Sequence, residues 1–183
     1  MYEDRKGDWI QTFTGKRFYP LDPRPEDFDI IDIAHALSLT TRFGGHCINF
    51  YSVAEHSFLI GSQMYDDLKN PDEALAGLLH DASEAYLGDI PKPLKQLLPE
   101  YLKIEHNVQT VIMKKFTKYD FIPAIVKEYD KKILMNEKLQ NMNESQAKWK
   151  TDNEGLDIEC LFLHPEEAKY QFLAIYDFLN KEK

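Results

Sequence analysis

The sequence predicts an all-α protein, a bundle of about six to seven helices behind a short N-terminal β-hairpin, in a single domain over residues 1–183. Three observations predict it. Apolar residues recur at i, i+3, i+4 and i+7 through a core of about residues 27–142 and again over about 165–181, which lays a buried stripe along each helix. Residues that open helices stand just ahead of those stretches: Ser52, Pro71, Pro123 and Pro165. Only residues 9–19 alternate aromatic and polar positions, around Thr14-Gly15, as a hairpin does.

Composition bounds the rest. A chain of 183 residues, 43% hydrophobic and 29% charged, can bury a core without disulfide or metal staples. Two cysteines, Cys47 and Cys160, argue against a disulfide framework and fit a reducing compartment. Residues 1–6 lack the apolar run of a signal peptide, and no stretch is long and apolar enough to span a bilayer. The expectation is a cytoplasmic protein with no membrane partner. A net charge of −9 works against binding long nucleic acid over a broad basic face. It leaves room for a small phosphorylated substrate, because a metal and one or two basic side chains neutralise a phosphate locally.

Taken in order, the hairpin over 9–19 is followed by a loop carrying Pro20, Pro23 and Pro25, then a helix over about residues 27–39. Its inward positions include Ile30, Ile31, Ala34, Leu37 and Ser38, and His35 reads as a packed or capping histidine. Residues 40–51 form a loop on Gly44-Gly45. Its Arg42, His46 and aromatic residues suit phosphate and base recognition, and on spacing alone Arg42 reads equally as a surface cation and Phe43 as a core aromatic. Ser52 caps the next helix, with Glu55 completing a capping box, and His56 points inward among Val53, Leu59, Ile60 and Met64.

Pro71, Asp72 and Glu73 open a helix whose buried face holds Leu75, Leu78, Leu79, Ala82 and Tyr86. His80, Asp81 and Glu84 lie on the neighbouring edge, with Gly77 below them leaving space for a ligand, and Pro91 and Pro93 end the run. A helix over 101–116 carries Leu102, Val108, Val111 and Ile112 inward, and His106 there is structural. Pro123 opens a helix to about residue 142 with Ile122, Val126, Tyr129, Ile133 and Glu137 in one stripe, and Asp130 falls within it. A carboxylate flanked by Val126, Ile133 and Leu134 needs an arginine, a proton or a metal. Residues 141–155 form a polar loop with Trp149 as its one strong anchor. The last helix turns Ala168, Phe172, Ile175 and Phe178 inward, with His164 near its N-terminus.

Titratable groups on the flank of a buried stripe cost free energy unless something binds them. His56, His80, Asp81 and Asp130 come from three inward-facing segments, and two imidazoles with two carboxylates suit one divalent ion such as Mn, Co, Fe, Zn or Ni. Adjacent helical residues point about 100° apart, so His80 and Asp81 share an ion only if it sits astride the helix edge. Glu84, three residues from Asp81 and four from His80, is on the same face and within reach of a water there.

The order His56, His80-Asp81, Asp130 resembles the HD superfamily of metal-dependent phosphohydrolases. The longer pattern is more specific: Arg42, Val53-Ala54-Glu55-His56-Ser57, His80-Asp81-Ala82-Ser83-Glu84 and Gly88-Asp89-Ile90-Pro91-Lys92-Pro93. It resembles the 5′-deoxynucleotidases of that superfamily and the short HD phosphohydrolases of phages and bacteria, over roughly residues 40–135. The resemblance implies an HD-domain helical bundle in which His56, His80, Asp81 and Asp130 bind one metal. It further implies that Glu84 is the carboxylate required for turnover, that Arg42 holds the phosphate, that Asp89 lies near the scissile bond and sugar, and that the nucleoside packs on Pro91. Lys92 joins Arg42 in offsetting phosphoryl charge. Phe43 stands where the bacterial deoxynucleotidase carries a tryptophan that helps exclude the ribose 2′-hydroxyl. The expected activity is a 5′-nucleotidase on deoxynucleoside monophosphates, with a dNTP triphosphohydrolase as the alternative and a non-catalytic nucleotide-sensing protein as the alternative of another class. The alarmone-hydrolase branch fits less well, since Ala85 rather than an aspartate follows Glu84. Family resemblance also implies a homodimer or higher assembly.

Overall fold

A computed structural model describes residues 4–147, 149 and 154–183. Among them it places a two-stranded sheet, β1 (Ile10–Gln11) and β2 (Arg17–Phe18), and eight helices: α1 (Ile30–Leu39), α2 (Val53–Leu68), α3 (Pro71–Leu78), α4 (Glu84–Leu87), α5 (Lys92–Lys95), α6 (Pro99–Phe116), α7 (Ala124–Asn141) and α8 (Pro165–Lys181). The fold is all-α with an N-terminal hairpin, as the periodicity predicts. No helix among the described residues is long and apolar enough to cross a membrane.

Two rungs, Ile10 with Phe18 and Gln11 with Arg17, make too little sheet to stand alone. The hairpin is held by what it touches. At its tip the Thr14 backbone N–H and hydroxyl both donate to the buried Asp32 carboxylate of α1, at 2.6 and 2.8 Å. Phe18 is fully buried against Phe28 and Tyr86. Asp32 turned inward also sets the phase of α1. Ile33, Ala34, Leu37 and Ser38 are its buried face, and Ile31, expected inside, is 43% exposed. The helix starts at Ile30 rather than near residue 27 because Pro25–Asp27 forms a 3-10 turn and Asp29 provides the cap. His35 stacks on Phe13 at 3.7 Å between centroids, a packed histidine.

Ser52 caps α2 through Glu55 N at 3.0 Å, but the reciprocal half of the capping box is not made. The Glu55 carboxylate accepts instead from the backbone N–H groups of Leu161, Phe162 and Leu163, at 2.6, 2.8 and 2.8 Å. Those bonds tether the segment ahead of α8, and α8 packs across α1, α2 and α3. Its buried residues are Ala168, Phe172 and Leu179; Phe178, expected inside, is 40% exposed.

The helix expected to run from Pro71 past His80 is broken. α3 ends at Leu78, and residues 79–83 turn tightly on i-to-i−3 bonds before α4 begins: Ala82 N to Leu79 O at 3.1 Å and Glu84 N to Asp81 O at 3.0 Å. Gly77 does not leave space for a ligand. A Cβ there would lie 2.5 Å from Met64 Sδ and 3.2 Å from Ile60 Cγ2, so the glycine lets α2 and α3 approach each other.

Residues 88–91 separate α4 from α5; Pro91 is the cap of the second helix and Pro93 lies in its first turn. α6 turns Val108, Ile112 and Met113 inward and leaves Leu102 38% exposed and His106 exposed. On α7 the buried face is Val126, Tyr129, Ile133, Glu137 and Asn141; the Asp130 side chain, expected to be buried in that stripe, sits at its edge with 44% exposure. Of the polar loop expected over 141–155, Asn141 is the buried last residue of α7, and residues 148 and 150–153 lie outside the described residues.

Candidate metal centre

Three elements and a loop bring the titratable groups together. α2 contributes His56, the tight turn between α3 and α4 contributes His80 and Asp81, and α7 contributes Asp130 and Glu137. The loop over 40–52 folds back on itself, with Arg42 N donating to Tyr51 O and Val53 N to Thr40 O, both at 2.9 Å. Its 3-10 turn holds Phe43 at φ 56° and Gly44 at φ 60°. At the end of α7, Asn141 pins this loop: its backbone carbonyl accepts from Ile48 N at 2.8 Å, and its amide pairs with Asn49 N and O at 2.7 and 3.1 Å. Gln109 of α6 fixes the His-Asp turn from below, accepting from Ser83 N at 2.9 Å and donating to Leu79 O at 2.7 Å.

The ring atoms meet at one point. His56 Nε2 and His80 Nε2 are 3.3 Å apart. Asp130 Oδ1 lies 3.4 Å from the first and 3.9 Å from the second, and Asp81 Oδ2 lies 3.7 and 3.1 Å from the same two atoms. One donor atom each from His56, His80 and Asp130 fall within 4.8 Å of one another. The opposite ring nitrogens are tied to acceptors: His56 Nδ1 donates to Glu137 Oε1 at 2.6 Å and His80 Nδ1 to the Gly77 carbonyl at 2.8 Å. Those partners favour a proton on Nδ1 of each ring, so that each ring, when neutral, turns its Nε2 lone pair inward.

The two lone pairs and the Asp130 oxygen grouped with them, with the Asp81 oxygen beside the two rings, repel one another unless a cation lies between them. Nitrogen and oxygen donors in that ratio fit one divalent ion. Without an ion between them, the same carboxylates favour a second proton on the His80 ring, a charge that a cation would replace. Burial opposes charge on His80, yet Asp81 and then Asp130 pull its pKa up to about 9. Burial likewise opposes charge on Asp81, and His80, His56 and Arg42 hold it far below the ordinary carboxylate range.

Arg42 stands against this cluster, with Nη2 3.0 Å from Glu137 Oε2 and Nη1 3.6 Å from Asp81 Oδ2. Its buried Nε has no partner among the described residues. Burial works against the charge, but Glu137 and Asp81 keep the guanidinium protonated. Glu84 is buried at the start of α4. One carboxylate oxygen is 3.2 Å from Lys95 Nζ, and the other is buried with no partner among the described residues. Burial, then Asp81 and Asp89, push the Glu84 pKa well above the usual range. Asp89 is also raised, by burial with Asp81 adding and Arg42 opposing.

Of the remaining predicted residues, Phe43, His46 and Pro91 lie close to the Arg42 loop. The Phe43 ring is 5.4 Å from Arg42 Cζ and 6.1 Å from the ring of Trp149. His46 and Pro91 are exposed and flank Gly44, where a Cβ would sit 3.9 Å from each. Lys92 is the exposed first residue of α5, whereas Lys95, one turn on, reaches Glu84 and is held by Glu105 at 2.7 Å. Spacing offers no reason to single out Lys95, because a four-residue helix is too short to show a period. Glu137 does carry a signal: it sits in the same apolar stripe that draws attention to Asp130.

No family model matches the chain. The uncharacterized protein YfdR of Escherichia coli (strain K12) is 44% identical over 108 residues, 59% of this chain and 58% of that protein. An uncharacterized protein of Rhodobacter capsulatus is 35% identical over 127 residues, 67% of this chain and 65% of that protein. A Photobacterium profundum protein named 5′-deoxynucleotidase is 38% identical over 71 residues, 36% of this chain and 37% of that protein. The chain therefore spans less than two thirds of the length of each of these relatives.

Proposed function

We propose that the chain is a metal-dependent phosphohydrolase that removes the 5′-phosphate from deoxynucleoside monophosphates. One observation carries the reading: two imidazole lone pairs and two carboxylates converge beside a buried arginine, with a buried, half-satisfied glutamate on the next helix. Similarity to a protein named 5′-deoxynucleotidase supports the same substrate class.

His56, His80, Asp81 and Asp130 would hold the ion, which when bound supplies Lewis acidity and a lowered pKa for water. The chain's own residues do the rest. Arg42, already fixed on Glu137, has its unpaired Nε–H and remaining N–H groups for phosphate oxygens, where charge builds as the P–O bond breaks. Glu84 accepts the proton of the attacking water on its unpaired oxygen, while Lys95 holds the other oxygen in place. Asp89, whose carboxyl burial helps to keep protonated, gives its proton to the leaving 5′-oxygen. Phe43, His46 and Pro91 border the space for the nucleoside, and Lys92 adds positive charge at the rim. The balance is water plus phosphate monoester giving alcohol and inorganic phosphate.

The test is a panel of dNMPs, NMPs and dNTPs with Mn²⁺, Co²⁺ or Zn²⁺ and identification of every product. Inorganic phosphate and free deoxynucleosides from the dNMPs are the expected result. Triphosphate released from dNTPs would replace the reading with a triphosphohydrolase. Binding without any product would leave a nucleotide-sensing protein.

A further inference from the structure

Glu137 is fully buried, and its two oxygens serve two different parts of the site. Oε1 accepts from His56 Nδ1 at 2.6 Å and Oε2 from Arg42 Nη2 at 3.0 Å. A carboxylate needed only to balance a buried arginine would leave the imidazole to find another acceptor. A carboxylate needed only to orient the imidazole would leave the arginine unheld. We infer that Glu137 is a positioning residue shared by the metal centre and the phosphate-binding arginine, so that one side chain sets both the ligand tautomer of His56 and the aim of Arg42. The inference rests on the reading of the site as a metal-dependent phosphohydrolase.

The placement on α7 reinforces it. Asp130, Glu137 and Asn141 are seven and four residues apart on one helix. Asp130 offers an oxygen to the ligand cluster, Glu137 fixes a second ligand and the arginine, and Asn141 clamps the loop from which that arginine projects. A rigid helix thus holds metal ligand and phosphate clamp in one register. Glutamine cannot do the same work. Its single oxygen can face His56 or Arg42, and its NH₂ then opposes a donor on the other side.

The experiment compares wild type, Glu137→Gln, Arg42→Gln and the double variant, after chelator treatment, by calorimetric titration with Mn²⁺ and by KM for a deoxynucleoside monophosphate. Loss of an outer hydrogen-bond partner of a metal ligand weakens metal binding about 10–100-fold, and that loss is expected for Glu137→Gln. Arg42→Gln is expected to raise KM without weakening Mn²⁺ binding. The KM effects of the two substitutions are expected to be strongly non-additive in the double variant, because both act through one guanidinium. Wild-type Mn²⁺ affinity in Glu137→Gln, or fully additive KM effects, would overturn the inference. Should Glu137→Gln fail to fold, Glu137→Asp keeps the charge but shortens the reach. Weaker Mn²⁺ binding together with a raised KM in that variant supports the shared role, and a wild-type value of either refutes it. Failure of the underlying reading has a different signature: wild type takes up no Mn²⁺, and both claims then fall together.

Discussion

Each site histidine carries a proton whose position is decided by a neighbour, and that is where the chemistry of the site begins. Gly77 O and Glu137 hold the Nδ1 protons, so each Nε2 can act as a ligand once its ring is neutral. Asp130 is the proposed ligand from the edge of α7, its side chain 44% exposed and 3.4 Å from His56 Nε2. Asp130→Ala is expected to abolish metal occupancy in elemental analysis, and full occupancy would remove that residue from the ligand set. Glu84→Ala is expected to lower phosphate release about 10²–10⁴-fold while metal content stays at the wild-type level. Wild-type turnover in that variant would end the assigned role. That His56, His80, Asp81 and Asp130 come together is legible in the sequence because polar groups in or beside an apolar stripe demand an explanation. Glu137 sits in the same stripe and reads there only as part of the face. Periodicity ranks faces, and the difference between the centre of a face, where Glu137 lies, and its edge, where Asp130 lies, is finer than its resolution.

Helices are more legible than their interruptions. Ser52, Pro71, Pro123 and Pro165 mark helix starts to within a residue, since caps and N-terminal prolines act through local backbone chemistry. The break after Leu78 is not legible, because Leu75, Leu78, Leu79, Ala82 and Tyr86 keep helical spacing across it. Tertiary contacts decide that turn, notably the Gln109 side chain bonded to Leu79 and Ser83. Glu55 is the other case. Its spacing from Ser52 fits a capping box, but three backbone N–H groups over 161–163 outcompete the single local donor. Hydrogen bonds to a charged acceptor are worth about 1.5–3 kcal/mol each, whereas a lost N-cap costs about 1 kcal/mol. Glu55→Ala is therefore expected to lower the melting temperature more than Ser52→Ala. Equal shifts in a thermal melt would mean that the tether is worth no more than the cap.

At the scale of the whole molecule, the resemblance that points to the site covers about residues 40–135 and leaves out both ends of the chain. Both ends nonetheless belong to the core. Phe18 of the hairpin and Phe172 and Leu179 of α8 are fully buried in the hydrophobic cluster that also holds Val53, Leu75 and Ile133. Burying Phe172 and Leu179 contributes about 1.5–3 kcal/mol each, a large part of a typical net stability of about 5–15 kcal/mol. A chain ending at residue 159 is expected to lose its cooperative melt, and with it metal uptake. An unchanged melt would make α8 an appendage. Those distant elements belong to the same core that brings His56, His80, Asp81 and Asp130 together beside Arg42. The most direct check is phosphate release from a deoxynucleoside monophosphate by protein stripped with a chelator, before and after Mn²⁺ is restored. Release should vanish on stripping and return with the ion. Undiminished release by the stripped protein, or none after the ion is restored, would contradict a metal-dependent phosphohydrolase.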